Sequence, residues 1–194
     1  ALYSVARTRR LKRFDEEYSV REQEFSINRK GEELFGLQCQ ENPSLQKTKA
    51  ELTNLKKLYN LYSEIINSIN QFQELNWKEE VTTEKLSQME EAAKRYKDLC
   101  ARLPKDLREW QAYKELKNSI ENLLAILPVI QILKKDSIKD RHWEALNEKV
   151  QHNHRIPFDN NEVFIVEDLT KAKVLEVLEE IDEIGESAEK QQKI

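Results

Sequence analysis

Glycine, proline, cysteine and long apolar runs are all scarce in this sequence of 194 residues. The 3 glycines and 4 prolines provide few turns, so the composition leaves little room for anything but long helices. The 2 cysteines, Cys39 and Cys100, have no metal-ligand spacing and are typical of a reducing compartment. No uninterrupted apolar run approaches the ~18 residues of a membrane span, and no signal peptide opens the chain. Because the chain begins with alanine, we expect it to be part of a longer protein.

Charged residues are abundant instead. They make up 35% of the sequence, hydrophobic residues make up 39%, and the mean hydropathy is -0.79. This hydrophobic share predicts a thin core, and such a segment often completes its burial against something outside itself. We therefore predict an all-α fold: an elongated bundle of long antiparallel helices with short capped turns and one short extended segment near 163–166.

The charges are unevenly distributed, although the net charge is only -4. Residues 167–190 carry nine acids and three lysines, whereas residues 1–13 carry five basic side chains and no acid. A basic head could bind nucleic acid or an acidic lipid surface. We favour a solvated helix face that pairs with Asp15, Glu16 and Glu17, with neither nucleic acid nor membrane as a partner. The basic residues are Arg7, Arg9, Arg10, Lys12 and Arg13.

The first part of the chain predicts two long helices. Residues 4–30 form the first, and the run from Gly31 to Leu37 predicts a non-helical turn that holds its own apolar side chains. Asn42 or Ser44 can cap the second helix by accepting an unpaired backbone N–H. Its two apolar stripes, about 120° apart, favour a helix inside a bundle over a coiled-coil dimer. The stripes are Leu52, Leu55, Tyr59, Tyr62, Ile66 and Ile69, and Leu58, Leu61, Ile65, Phe72 and Leu75.

Two more helices follow, joined by short turns, and we interpret them as antiparallel neighbours of the second. Thr82 or Thr83 can cap the first of them, and Pro104 ends it. In the next helix, apolar residues at steps of three and four line one face, and Pro128 should kink or break the helix because it lacks an amide hydrogen. That face comprises Leu116, Ile120, Leu123, Leu127 and Ile130.

A short helical piece then leads to Arg141, His142 and Trp143, which allow two interpretations. Tryptophan and arginine dominate binding hot spots, so Arg141 and Trp143 could contact a partner. We favour the alternative, in which Trp143 packs in the bundle core and Arg141 bridges helix ends. Trp77 and Trp110 are likewise interpreted as internal spacers.

Beyond Leu146 the helical pattern lapses. Residues 151–161 predict a loop, and the β-prone run from Val163 to Val166 is too short for a sheet by itself. It could pair with an outside strand or be an extended lead-in to a final helix that starts at Glu167. We predict a boundary between 1–42 and 43–194, and we divide the latter into a main bundle at 43–150, a loop and strand at 151–166 and an acidic helix at 167–194.

The sequence predicts no catalytic, cofactor-binding or metal-binding residue. Three scattered glycines cannot form a phosphate-binding loop, and no Ser/His/Asp or Cys/His arrangement has a familiar context. The close pair His152 and His154, with His142 ten residues earlier, lacks further ligands at fixed spacing, so a polar loop is favoured over a metal site.

The ordered motifs of this chain closely resemble the start of the linker region of dynein heavy chains of the axonemal, ciliary outer-arm type. The resemblance covers nearly all 194 residues and is loosest in residues 1–30 and 151–161. Arg141-His142-Trp143 alone would be a weak signal, but the ordered set is specific. The set includes the Gly31–Leu37 turn, Leu58-Tyr59-Asn60-Leu61-Tyr62, Trp77, Leu103-Pro104-Lys105, Glu109-Trp110, Leu127-Pro128 and Ile130-Gln131-Ile132-Leu133.

This resemblance implies a non-catalytic mechanical role. Residues 1–42 would end the tail and residues 43–194 would begin the linker, which joins the tail to a AAA+ ring and transmits the ATP-driven power stroke. ATP and Mg would bind in the ring of the parent chain, not in this segment. The implied partners are flanking tail and linker helices, the ring, intermediate and light chains, neighbouring heavy chains and, indirectly, the microtubule. The implied location is the cytoplasm and cytoskeleton, in the ciliary axoneme.

Two other classes of function remain open at this point. A stand-alone helical-bundle scaffold or adaptor of spectrin-like type would have the same helical pattern. A nucleic-acid-binding module that uses Arg7 to Arg13 would lose affinity steeply with salt.

Overall fold

The computed structural model describes residues 2–39, 41–150, 154–159 and 163–192. The chain forms two compact units. Unit 1 comprises Ala1–Glu64 with Arg102–Lys114, and unit 2 comprises Ile65–Ala101 with Glu115–Ile194.

Helices account for all the regular secondary structure in the described residues, which confirms the predicted all-α class. Two short 3₁₀ helices, Lys105–Leu107 and Val174–Glu176, lie in connections. The α-helices are α1 (Leu2–Leu34), α2 (Pro43–Gln73), α3 (Thr83–Ala101), α4 (Gln111–Leu133), α5 (Asp140–Val150), α6 (Val166–Lys171) and α7 (Leu178–Gln192).

Unit 1 is built on an antiparallel pair formed by α1 and α2. The amine of Lys56 lies 2.6 Å from the carboxylate of Asp15, and that of Lys49 lies 2.5 Å from Glu22. From the first ion pair to the second, the position on α1 increases by seven residues and the position on α2 decreases by seven, so the two helices are antiparallel. Tyr18 lies between the two ion pairs and is buried. The hydrogen bond between Lys49 and Glu22 lowers the pKa of Glu22 and raises that of Lys49.

Backbone hydrogen bonds end α1 at Gly36, where φ is 65°. The N–H of Gly36 donates to the carbonyl of Glu33 (3.2 Å), and the N–H of Leu37 donates to that of Glu32 (2.8 Å). This is the Schellman arrangement, in which a left-handed residue just past the helix satisfies its last carbonyls. Glycine suits that position because it has no Cβ.

The prediction for the side chains of this turn is wrong. Gly31 lies inside α1, and the apolar residues Leu34, Phe35 and Leu37 are 81%, 78% and 61% exposed. The backbone hydrogen bonds form the turn without help from apolar packing.

α2 has the two-sided burial that its pattern predicts. All residues of its two stripes are buried or half-buried, and polar residues such as Lys57, Asn60 and Asn67 are exposed. Asn42 rather than Ser44 caps the helix, because its Oδ1 accepts the N–H of Leu45 (3.0 Å). Thr82 caps α3 in the same way, accepting the N–H of Lys85 at 3.1 Å.

α4 supplies the centre of the unit 2 core. All five residues of its predicted apolar face are at most 4% exposed. By length and composition α4 could also cross a bilayer, and 44% of its most apolar 18-residue window is buried in this protein.

Of the kink or break predicted at Pro128, the break is wrong, because α4 continues through this residue to Leu133. Proline removes one helical hydrogen bond, but its ring is at the exposed surface. Its neighbours Leu127, Val129 and Ile130 are buried and hold both sides of the helix to the core. The chain instead turns at residues 134–139, before α5.

The region after α5 also differs from the prediction. Residues 163–165 form no strand, and Ile165 makes only an isolated antiparallel bridge with Asn76. The predicted acidic helix at 167–194 is two helices, since Lys173 adopts a left-handed φ of 56° between α6 and the 3₁₀ turn. Of the predicted loop, residues 151–153 and 160–161 lie outside the described part of the chain.

Candidate functional site

Four aromatic side chains of unit 2 meet where its connecting segments come together, and we call this cluster the aromatic joint. Trp77 lies in the link between α2 and α3, and Trp143 lies in the first turn of α5. Phe158 and Phe164 belong to the connection between α5 and α6. Trp77, Trp143 and Phe164 are only 6%, 7% and 3% exposed, so the joint is a packed interior.

The rings of the joint adopt favourable aromatic geometries. Trp77 stacks on Phe164 with ring centroids 4.9 Å apart, and Trp143 lies over Phe158 at 6.3 Å with nearly parallel planes. Trp143 meets both Trp77 and Phe164 edge-on at 5.5 Å. Each such pair contributes about 0.5–1.5 kcal/mol beyond its buried area.

Backbone hydrogen bonds attach the same segments to each other. The N–H of Trp77 donates to the carbonyl of Phe164 (2.8 Å), and the N–H of Val166 donates to that of Leu75 (3.1 Å). The Asn76 side chain shapes the adjoining turn by accepting the N–H of Lys78 at 2.9 Å. The β-prone run therefore pairs within this chain, through one bridge.

Lys134, just beyond α4, closes one side of the joint. Its amine donates to the carbonyl of Trp77 at 2.5 Å and lies 5.3 Å from the centroid of the Trp77 ring. Burial lowers the pKa of Lys134. A cation held against both the carbonyl and the ring face of one tryptophan fixes the end of α4 to the α2–α3 link.

Asn147 and Asp168 hold the connection between α5 and α6. The Asn147 amide accepts the N–H of Ile156 (2.8 Å) and donates to its carbonyl (3.1 Å). The buried Asp168 carboxylate accepts the N–H of Ile165 (3.0 Å), and its other oxygen lies 2.9 Å from Nε2 of His154. Both side chains replace backbone partners that this irregular segment lacks.

Arg141 and His142 lie at the start of α5, where it packs against α7. The exposed Arg141 side chain donates a hydrogen bond to the side chain of Gln191 in α7. Lys135, in the turn before α5, also contacts α7, since its amine lies 2.6 Å from the carboxylate of Glu189. His142 is buried; its Nδ1 accepts the N–H of Lys139 (2.9 Å).

The other ring nitrogen of His142, Nε2, is buried, and the described residues offer it no hydrogen-bond partner of adequate geometry. Burial lowers the pKa of His142, the charge of Arg141 adds to the effect, and the Gln191 side chain opposes it. The neutral imidazole is therefore the form that fits the fold.

The residues singled out in the sequence are only partly brought together. Trp77 and Trp143 lie in the joint, and Arg141 and His142 lie beside it. Pro128 lies on the exposed side of α4. Trp110 belongs to unit 1 and is 44% exposed, so the prediction that it is an internal spacer is wrong.

Phe158, Phe164 and Lys134 were not predicted from the sequence to be members of the joint. Phe164 gave a signal, since it stands in the only β-prone run. No sequence pattern pointed to Phe158 or Lys134, because the residues that they contact in the joint are distant in the sequence. Within the described residues, no group of three or more His, Cys, Asp or Glu side chains is arranged to hold a metal.

The fold and the joint define an all-α structural segment in which polar and aromatic groups are used for packing. Residues 45–194 match the family described as "Dynein heavy chain, N-terminal region 2". The chain belongs to the dynein heavy chain family, as an N-terminal segment.

Similar proteins come from cilia and flagella. The "Dynein gamma chain, flagellar outer arm" of Chlamydomonas reinhardtii is 32% identical over 183 residues, which are 94% of this chain and 4% of that protein. "Dynein axonemal heavy chain 8" of Homo sapiens is 30% identical over 186 residues, or 95% and 4%. "Dynein axonemal heavy chain 5" of Rattus norvegicus is 30% identical over 165 residues, or 84% and 4%. The chain thus spans about 4% of the length of these relatives. Its family members place it in the cytoskeleton of the ciliary axoneme.

Proposed function

We propose that this segment joins the tail of an axonemal dynein heavy chain to its linker and transmits force during the ATP-driven power stroke of ciliary movement. The match of residues 45–194 to the N-terminal family region supports the position in the heavy chain. The aromatic joint is the observation that carries the mechanical part of the proposal.

A segment that transmits force must be rigid where its helices are connected. In the aromatic joint, the rings of the four aromatic residues pack against each other, backbone hydrogen bonds connect the segments that carry them, and Lys134 donates a hydrogen bond to the carbonyl of Trp77. Interiors packed in this way have low compressibility and transmit strain. The joint fixes the irregular links of unit 2, which would otherwise be its softest parts.

In this proposal the segment itself is not an enzyme and binds no cofactor. ATP and Mg would bind in the AAA+ ring of the parent chain. The absence of a Gly-rich phosphate-binding sequence supports this division. The isolated chain should then neither bind nor hydrolyse ATP. Equilibrium dialysis with labelled nucleotide measures the binding, and release of inorganic phosphate measures the hydrolysis.

The proposed partners follow from this position. Flanking tail and linker helices and the ring belong to the same heavy chain, and intermediate chains, light chains and neighbouring heavy chains belong to the complex. The microtubule is engaged only indirectly. The names of the relatives, an outer-arm chain and axonemal chains, support a large assembly. No observation favours the alternative of a stand-alone spectrin-like scaffold.

The test uses the full-length heavy chain that carries this segment. Trp143→Ala should lower microtubule gliding velocity several-fold while basal ATP hydrolysis is retained, because the ring is intact but its force is poorly transmitted. Trp143→Phe should have a smaller effect, since it keeps an aromatic ring. Lys149→Ala on the exposed side of α5 is the matched control. Unchanged gliding by the Trp143→Ala motor would contradict the mechanical role.

A further inference from the structure

The first turn of α5 is organised around the backbone of Lys139. The carbonyl of Lys139 accepts the N–H groups of His142 (2.8 Å) and Trp143 (3.4 Å). The N–H of Lys139 donates in turn to Nδ1 of the His142 ring at 2.9 Å. His142 thus exchanges hydrogen bonds with the residue before the helix, as the third helical side chain does in a capping box.

This arrangement requires a neutral imidazole ring. An Nδ1 that accepts an N–H carries no proton, so the proton of the neutral ring is on Nε2. Nε2 is itself enclosed, and His142 as a whole is 7% exposed. A second proton enters at Nδ1, where its N–H would face the N–H of Lys139 across the present 2.9 Å. Two donors at that distance must separate, so protonation breaks the hydrogen bond that closes the turn.

The surroundings of His142 also disfavour its charged form. Burial is the main cause that lowers the pKa of His142, and the positive charge of Arg141 adds to it. The side chain of Gln191 in α7 opposes the decrease, whereas the charge of Lys139 increases it.

No carboxylate compensates for a charge on His142. Among the described residues none forms an ion pair with His142, and Glu189 of α7 lies 2.6 Å from Lys135 instead. The carboxylates nearest in the sequence are all exposed, namely Asp136, Asp140 and Glu144. The imidazolium would therefore gain nothing from its surroundings, and it is best accommodated by moving into the solvent.

The same turn carries one ring of the aromatic joint. Trp143 follows His142 directly and packs against Trp77, Phe158 and Phe164. Because the carbonyl of Lys139 accepts the N–H groups of both His142 and Trp143, the turn that His142 closes also positions the Trp143 ring. Opening this turn would move Trp143 away from its aromatic partners.

We propose that His142 makes the rigidity of the aromatic joint sensitive to pH, because protonation of its ring opens the first turn of α5 and displaces Trp143. The turn is closed at neutral pH and opens in mild acid. The consequence for a motor rests on the proposed force-transmitting function: a heavy chain that carries this segment transmits force less well as the pH falls. The opening itself is a property of this chain.

The direction and size of the effect follow from proton linkage. In the open form His142 is solvated and titrates near its unperturbed pKa of about 6.5, whereas burial lowers the pKa of the closed form. Protons therefore bind first to the open form, and the ratio of open to closed chains rises as the pH falls below about 6.5. Between pH 7.5 and pH 5.5 the rise is at most about tenfold.

The first test measures the opening in the intact chain by NMR. Protection factors for the amides of residues 139, 142 and 143, corrected for intrinsic exchange at each pH, should fall by about five- to tenfold between pH 7.5 and pH 5.5. The amides of residues 116–127 in α4 should remain better protected at both pH values, which would identify the opening as local.

Two histidine variants assign this change. His142→Gln retains a side-chain acceptor for the N–H of Lys139 but does not titrate, so its protection factors should change by less than about twofold. His154→Gln is the matched control, because His154 contacts Asp168 in another segment. This control should keep the full pH dependence at the start of α5.

A measurement on the unsubstituted chain gives a second check. With ¹⁵N-labelled imidazole rings, the nitrogen shifts of His142 should show a neutral ring with its proton on Nε2 at pH 7.5, and a titration midpoint below about pH 6.5. A midpoint at or above that value in the folded chain would overturn the proposal. So would protection factors at residues 139–143 that do not fall with pH, or that fall equally in His142→Gln.

The second test uses the full-length heavy chain. The ratio of microtubule gliding velocity at pH 6 to that at pH 7.5 is compared between the unsubstituted motor and His142→Gln, so that effects of pH on the ring and the microtubule cancel. The ratio of the unsubstituted motor should be lower by about twofold. If Trp143→Ala slows gliding but the two ratios are equal, the mechanical role stands and the pH sensitivity of the motor is refuted. If Trp143→Ala does not slow gliding while the protection factors fall as expected, the mechanical role fails and the pH-sensitive turn stands.

Discussion

At the residue scale, burial divides the three tryptophans into two groups. Trp77 and Trp143 are enclosed in the aromatic joint, whereas Trp110 of unit 1 is exposed. Each of the three lies within a few residues of a helix start or end. Which of them is core depends on residues far away in the chain, so residue-level predictions are best tested one side chain at a time.

Replacing Trp143 by alanine should destabilise unit 2 by about 3–5 kcal/mol, as large-to-small changes in a core do. The change removes contacts with Trp77, Phe158 and Phe164 and leaves a cavity. Chemical denaturation followed by circular dichroism at 222 nm measures the loss. Trp110→Ala, at an exposed position, should cost much less. Equal losses for the two variants would contradict the assignment of Trp143 to the core.

The stability of the protein should fall in mild acid because of His142. Burial lowers the pKa of the folded-state imidazole, so the unfolded chain binds a proton first. His142 therefore contributes stability above the unfolded pKa of about 6.5, and that contribution decreases as the pH falls below this value, by at most about 1.4 kcal/mol per pH unit. Protonation would also place an N–H against the N–H of Lys139.

The matched variant for this pH effect is His142→Gln. A glutamine at the third helical position can also accept the backbone N–H before the helix, but it does not titrate. Unfolding free energies of both proteins measured between pH 7.5 and 5 should diverge below about pH 6.5. Parallel curves would show that His142 does not couple folding to pH, and a steeper fall in the variant would reverse the sign.

At the element scale, local sequence accounts for the start of α2, the start of α3 and the end of α1. Asn42 and Thr82 are capping residues whose oxygens meet backbone N–H groups three residues on, and Gly36 ends α1 through its left-handed backbone. The misplaced break at Pro128 shows the limit of local rules, since tertiary burial of Leu127 and Val129 outweighs one missing hydrogen bond. The contact between two helices, in contrast, depends on how their side chains fit together, which the sequence of neither helix shows alone.

The close approach of α7 to α4 should make Gly185 sensitive to substitution. A Cβ at Gly185 would lie 2.7 Å from Cγ2 of Ile132, which is attached to a stiff β-branched side chain. Overpacking costs about 1–3 kcal/mol, which exceeds the roughly 1 kcal/mol that alanine gains over glycine in a helix. Gly185→Ala should therefore lower the melting temperature.

Two companion variants test the cause of that loss. Gly31 in α1 has no atom near its Cβ position, so Gly31→Ala should be neutral or stabilising. Adding Ile132→Ala to Gly185→Ala should cost less than the sum of the two single changes, because the clash is removed. Strict additivity in this cycle would exclude steric overlap as the explanation.

At the scale of the whole molecule, unit 2 contains more buried hydrophobic side chains than unit 1. Among the described residues, 29 buried hydrophobic side chains belong to unit 2 and seven to unit 1. The seven are Tyr18, Leu52, Leu58, Leu103, Leu107, Ala112 and Tyr113. Because local stability follows buried apolar contacts, unit 1 should open more readily than unit 2.

Hydrogen exchange should reveal this difference. Amides in the middle of α1, near residues 15–25, should exchange well before those near residues 116–127 in α4, which faces a continuous core. Mass spectrometry of the intact chain at neutral pH measures both. The middle of each helix avoids fraying at its ends. Equal protection in α1 and α4 would mean that the chain unfolds as one cooperative body.

By itself, the sequence determined the all-α class, the two-sided burial of α2, the core face of α4 and the caps of α2 and α3 to within two residues. These features depend on helix periodicity and on side chains reaching backbone groups a few positions away, so local chemistry suffices. Its ordered motifs also indicated the family that the comparison confirmed.

Only the tertiary structure decided which side chains meet. It brought Trp77, Trp143, Phe158 and Phe164 into one joint, continued α4 past Pro128, divided the final acidic stretch into two helices and left Trp110 exposed. Each of these outcomes depends on packing between segments that are far apart in the chain. The free energy of such packing is shared among many partners, so no local pattern of residues encodes it.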